Sequence, residues 1–194
     1  MAYRRTAQVE ARLSAAREAL VDAGLVLLAH GGWSAVTVRA VADAAGSSTG
    51  SVYTRFPGGI DDVGVAVFRT AAAREVDAVA AASDVAEAVE LFARRALARP
   101  RLAFALLAEP APAAVEAERL LFRRTHRDVF ARLVTEATGR DRDDTAVVVA
   151  AAAIVGAVSE ALVTPLAATR RAALVPALVE LCVRALPAPL EATP

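Results

Sequence analysis

The chain has 194 residues, of which 56% are hydrophobic and 5% aromatic, and its 22 basic residues are balanced by 22 acids. That length suits one medium domain or a small head on a larger body, and few aromatics without sustained polar–apolar alternation argue against a β-sandwich. A net charge of zero excludes a protein that coats nucleic acid non-specifically, because that affinity grows with the number of phosphates neutralised.

Every basic residue is arginine, and there is a single cysteine, Cys182. One cysteine excludes an internal disulfide and a cysteine-based metal cluster. With two histidines and acids scattered over solvent faces, neither a metal nor another cofactor is expected. The N-terminus is polar and carries no signal-peptide stretch. Residues 146–158 are continuously apolar, yet a membrane span needs roughly 20 such residues. A cytoplasmic protein with no membrane partner is expected.

The first helix is expected over residues 6–30, with Val9, Leu13, Ala16, Leu20, Ala23 and Leu27 forming one apolar stripe. Gly31 and Gly32 end it. A short helix follows, capped by Thr37 and carrying Val38, Val41, Ala42 and Ala45. Gly46 supplies the tight turn. Ser48 then caps a third helix of about two turns that runs to Thr54, before Pro57 and Gly58-Gly59. Two helices this short need a third beneath them, and together the three form a helix-turn-helix head over residues 1–59. The head holds six arginines against four acids, a small positive excess.

The stretch from Gly32 to Pro57 resembles the DNA-binding signature of TetR-family regulators. The agreements are Gly32, Trp33, Thr37, Val38, Ala42, Ala45, Gly46, Ser48, Gly50, Tyr53 and Phe56. The resemblance implies that the helix opened by Ser48 is the recognition helix, set in a major groove. Thr37 and Tyr53 are then expected at phosphates, and Arg39, Ser48, Thr49 and Ser51 at base edges. Gly50 allows close approach to the groove, and Thr54 and Arg55 complete the DNA-binding set. Arg4 and Arg5 are candidates for a minor-groove arm. Two departures stand out: the family usually places a basic residue where Gly59 stands and often one where Thr49 stands, and Asp61 and Asp62 lie close by.

The body is expected over residues 60–188, followed by a Pro-rich tail over 189–194. Helices are expected over 60–82, 84–99 (capped by Ser83), 101–108, 113–138, 145–168 and 170–186, giving about nine in an all-α chain. The helix over 145–168 is apolar nearly all round, which predicts burial on every side. By resemblance the last two helices form the dimer surface, pairing into a four-helix bundle that matches a palindromic double-stranded operator.

Phe68, Phe92, Phe104, Leu107, Phe122 and Phe130, with the polar groups Arg95, Glu109, Arg123 and His126, are the expected lining of a cavity for a small, largely apolar effector. Asp141, Asp143 and Asp144 hint at a cation loop, but no glutamate completes a calcium pattern. No phosphate-binding glycine loop is present, and no enzyme is expected. The reading is a sequence-specific regulator, most simply a repressor released by its effector. The alternative is a helical adaptor that keeps the head and binds DNA weakly or not at all.

Overall fold

The computed structural model describes residues 2–190, with side chains for residues 8–167 and 170–190. Among these the regular structure is helical: α1 (Ala2–Gly31), a 3₁₀ turn (Trp33–Ala35), α2 (Val38–Ala44), α3 (Thr49–Arg55), α4 (Ile60–Ala80), α5 (Val85–Ala98), α6 (Pro100–Leu107), α7 (Ala113–Thr138), α8 (Thr145–Val163) and α9 (Ala168–Arg184). The side chains of Arg4 and Arg5, and residues 191–194 of the expected tail, lie outside the described ones. The chain divides into two compact units, Met1–Ala71 with Glu109–Glu118, and Ala72–Ala108 with Arg119–Pro194. The division passes through α4.

The first unit is built on the second half of α1. Leu20, Val21 and Leu28 are buried there, together with Val41 and Ala42 of α2, Val52 of α3, Phe56, and Val63, Val67 and Phe68 of α4. The apolar stripe expected along all of α1 is therefore buried only in part: Val9 and Leu13 are exposed. Gly24 lets α1 and α4 approach closely, since a Cβ there would stand 2.5 Å from Val67 Cγ2. Trp33 is buried, stacks on Phe68 at 6.3 Å between ring centroids, and donates its backbone N–H to Glu109 at 3.2 Å.

In the second unit α5 packs on α9 and α8, and α6 packs on α8. Asp84 caps α5, accepting from Glu87 N at 2.8 Å, while Ser83 one residue earlier bonds the Glu87 carboxylate. The cap is thus one residue later than expected, and it works as a reciprocal capping box. Pro100 occupies the first turn of α6, where its missing N–H costs nothing. The open carbonyls at the other end of α6 are bonded from α7. Buried Arg119 donates to Ala105 O and Leu106 O, and Arg123 to Leu107 O, each at 3.0 Å.

Helix α8 is shorter than expected because Thr164 precedes Pro165 and takes up extended backbone. Within the single chain it is buried on one side. Val147, Ala150, Ala151, Ile154, Val155 and Val158 are inside, whereas Val148, Val149, Ala152, Ala153 and Gly156 face outward. By length and composition α8 is apolar enough to cross a membrane, and a third of it is buried within the protein. The acids ahead of it serve local structure. Asp144 caps α8 through Ala146 N and pairs with Arg140, and Asp141 accepts from Asp143 N. No cluster of potential metal ligands occurs among the described residues.

Candidate nucleic-acid interface and effector cavity

In the head, Thr37 and Ser48 both act as helix caps. The Thr37 hydroxyl oxygen accepts from Ala40 N at 3.1 Å, and the Ser48 hydroxyl oxygen from Ser51 N at 3.2 Å. Between the two helices Gly46 adopts φ +60°, a left-handed conformation that favours glycine. The Thr37 backbone N–H is engaged with Ala35 O at 3.1 Å, so what Thr37 presents outward is its hydroxyl group and not its amide.

Thr37, Arg39, Ser48, Thr49, Gly50, Tyr53 and Thr54 are exposed, and Ser51 is half-buried. Tyr53 lies along Gly59, whose φ of +64° turns the chain into α4 with the tyrosine ring 3.0 Å from where a Cβ would stand. That close approach explains glycine at a position where a basic residue was looked for. Gly50 has open space on its outer side, with only the Ser48 hydroxyl near it.

The positive charges are less free than the residue types suggest. Arg39 lies 3.8 Å from Asp43 on α2, an exposed pair that water weakens. Arg55 is half-buried and folds back on α3, donating to the Ser51 carbonyl and hydroxyl. Thr54 bonds the carbonyl of Gly50. Arg17, on α1, stacks over the Phe56 ring at 4.6 Å. Asp62 accepts from Gly58 N at 2.7 Å, so one of the two suspect acids fastens the turn ahead of α4.

Residues 20–59 match the model of the family described as bacterial regulatory proteins, tetR family. Over those residues the chain is similar to that family.

The fold beyond the TetR-type head is shared as well. FadR from Bacillus halodurans, a fatty acid degradation regulator, superposes with a TM-score of 0.67 at 20% identity, over 87% of this chain and 94% of that one. The transcriptional regulator FadR from Bacillus subtilis, solved with stearoyl-CoA, gives 0.67 at 17% identity, over 88% and 99%. Salmonella enterica GusR gives 0.64 at 16%, over 88% and 95%. At such identities these likenesses establish the fold alone. No curated protein sequence matches the chain significantly.

In the second unit, the expected effector residues separate into two groups. Phe92, Arg95, Leu107 and Phe122 line one cavity, along with Glu75, Ala96, Arg99, Leu102, Ala103 and Leu106. The others stand elsewhere. Phe68 and Glu109 belong to the first unit, Phe130 is fully buried core, and Phe104 is 40% exposed beneath Arg101. Arg123 lines an open groove with Arg124 and Arg127. His126 sits behind the cavity wall, in contact with Phe92 and Phe122 at ring-centroid distances of 4.9 and 4.3 Å.

The cavity encloses about 20 Å³, space for about one water molecule. A ligand site normally holds several hundred, so in this structure the cavity is too small to hold one. At its edge Glu75 is bound by two guanidinium groups. Arg95 Nε donates to it at 2.6 Å and Nη2 at 3.2 Å, and Arg99 Nη2 donates at 3.0 Å. Neither Glu75 nor Arg99 stood out in the sequence, because partners 20 and 24 positions apart on different helices leave no local pattern.

His126 is 1% exposed. Its Nδ1–H donates to Phe122 O at 3.1 Å, which leaves Nε2 a buried acceptor with no hydrogen-bond partner. Burial holds its pKa below the ordinary histidine value, against the opposing pull of the Phe122 carbonyl and the Glu75 charge. The ring is therefore neutral around pH 7. Cys182 is buried, and burial pushes its thiol pKa up, so it is an apolar core residue and not a reactive thiolate.

Proposed function

We propose that this chain is a transcriptional repressor that binds a palindromic operator as a homodimer and leaves it when a small, largely apolar effector enters the second unit. The observation that carries this reading is the exposed surface of the TetR-type head. Its two capped helices present the hydroxyl groups of Thr37, Ser48, Thr49 and Tyr53 together with Arg39. Hydroxyls and arginine are the groups that fix a protein on phosphates and read base edges.

The dimer reading is supported by the outward face of α8, where Val148 and Val149 are 53% and 60% exposed beside Ala152, Ala153 and Gly156. Such a contiguous apolar face marks a protein contact, and the small residues allow close backbone approach. Leu181 and Val183 of α9 are exposed too. The stearoyl-CoA bound by the Bacillus subtilis protein of the same fold supports an effector with a large apolar part. Effector and operator must favour different states of the protein for one to displace the other.

A second reading is a helical adaptor with a head that does not grip DNA. It is favoured by one specific feature, the engagement of Arg39 with Asp43 and of Arg55 with Ser51. Fluorescence anisotropy with duplexes covering the region around the chain's own gene separates the two. Saturable binding to one palindromic duplex supports the repressor, and no binding to any of them at low salt supports the adaptor.

A further inference from the structure

The cavity in the second unit has an unbalanced charge at its edge. Two guanidinium groups, Arg95 and Arg99, converge on the single carboxylate of Glu75. No other acid lines it, and the remaining wall is apolar: Phe92, Leu102, Leu106, Leu107 and Phe122 with two alanines. The Glu75 carboxylate is largely withdrawn from water, at 15% exposure, while Arg99 is 46% exposed and holds it by a single hydrogen bond. One positive charge is thus left over beside an apolar space. A positive charge beside an apolar space favours an anionic partner over a neutral one.

Resting on the effector reading above, we infer that the effector is an anionic amphiphile, an apolar chain ending in a carboxylate, whose head takes the place of Glu75 on Arg99 and Arg95. Glu75 fills in the shut state the position that the ligand's carboxylate takes in the open one. The exchange keeps the guanidinium groups paired, and the apolar tail enters as Phe92, Leu106 and Phe122 give way. Glu75 lies on α4, the helix that begins directly after the head, so the exchange releases a restraint on that helix.

The test is isothermal calorimetry on the full-length protein, below the micelle concentration, with hexanoate, decanoate and tetradecanoate, each set against the alcohol and the amine of the same chain. At least one carboxylate is expected to bind about tenfold or more tightly than its alcohol and amine. Glu75→Gln removes the competing carboxylate and is expected to tighten that carboxylate several-fold with the alcohol unchanged. Arg99→Gln, at an exposed position that does not endanger folding, is expected to bring the carboxylate down to the alcohol. Equal binding of carboxylate and alcohol, no carboxylate bound at all, or a Glu75→Gln protein that binds like the original would overturn the inference. No DNA enters this measurement, so its failure leaves the repressor reading standing, and a failure to bind DNA leaves this result valid.

Discussion

At the scale of single residues, the head and the body depend on different kinds of group. Tyr53 is exposed, with one ring edge against Gly59. Replacing its hydroxyl in Tyr53→Phe is expected to leave the melting temperature unchanged and to weaken operator binding by about threefold to tenfold, the worth of one hydrogen bond. An unchanged affinity in anisotropy measurements would place the hydroxyl away from the phosphates. His126 makes the opposite case, a buried group whose role is read from stability. Its folded pKa is lowered, so the unfolded chain binds the proton more readily than the folded one. The stability it allows is whole above the unfolded histidine pKa, about 6.5, and declines as the pH falls below that. Denaturant midpoints should therefore drop between about pH 6.5 and 5, ahead of carboxylate titration, and His126→Gln should flatten that drop. Parallel profiles for the two proteins would remove His126 as the cause.

At the scale of elements, the short-range chemistry of caps and turns was legible, and long-range pairing was not. Thr37, Gly46 and Ser48 act where their residue types predict, because a cap or a left-handed turn is decided within a few positions. The same reasoning placed the α5 cap one residue early, since Ser83 and Asp84 are both competent and only the observed bond to Glu87 N separates them. Asp84→Ala is expected to cost about 1 kcal/mol in chemical denaturation. For the candidate cavity, the aromatic residues named from helical spacing divided: Phe92 and Phe122 line it, whereas Phe68 and Phe130 are core and Phe104 is turned outward. Spacing along one helix tells which face a residue shares, but not which neighbour that face meets. For the same reason Glu75, Arg99 and the α6-capping Arg119 went unread.

At the scale of the whole molecule, the apolar outer face of α8 and the modest positive charge of the head bear on the same question. Among the described residues of the head, Arg39 pairs with Asp43 and Arg55 with Ser51, so the affinity of one head for DNA is expected to be low. A dimer joins two heads on one duplex and gains from effective concentration. Val149→Arg, which sets a charge in the middle of the exposed α8 face, is expected to give a folded monomer by light scattering and to lose most operator affinity. A dimer that persists in that variant would move the interface away from α8.

In the reading proposed above, the exposed residues of α2 and α3 grip a specific operator. The most direct measurement is anisotropy of the full-length protein on duplexes from around its own gene, repeated over a range of salt concentrations, for the original protein and for Arg39→Gln with Thr49→Ala. Saturable binding to one palindromic duplex is expected, with a steep fall in affinity as salt rises and loss of preference for that duplex in the double variant. Tight binding that is flat with salt, or an unchanged preference after both substitutions, would contradict it.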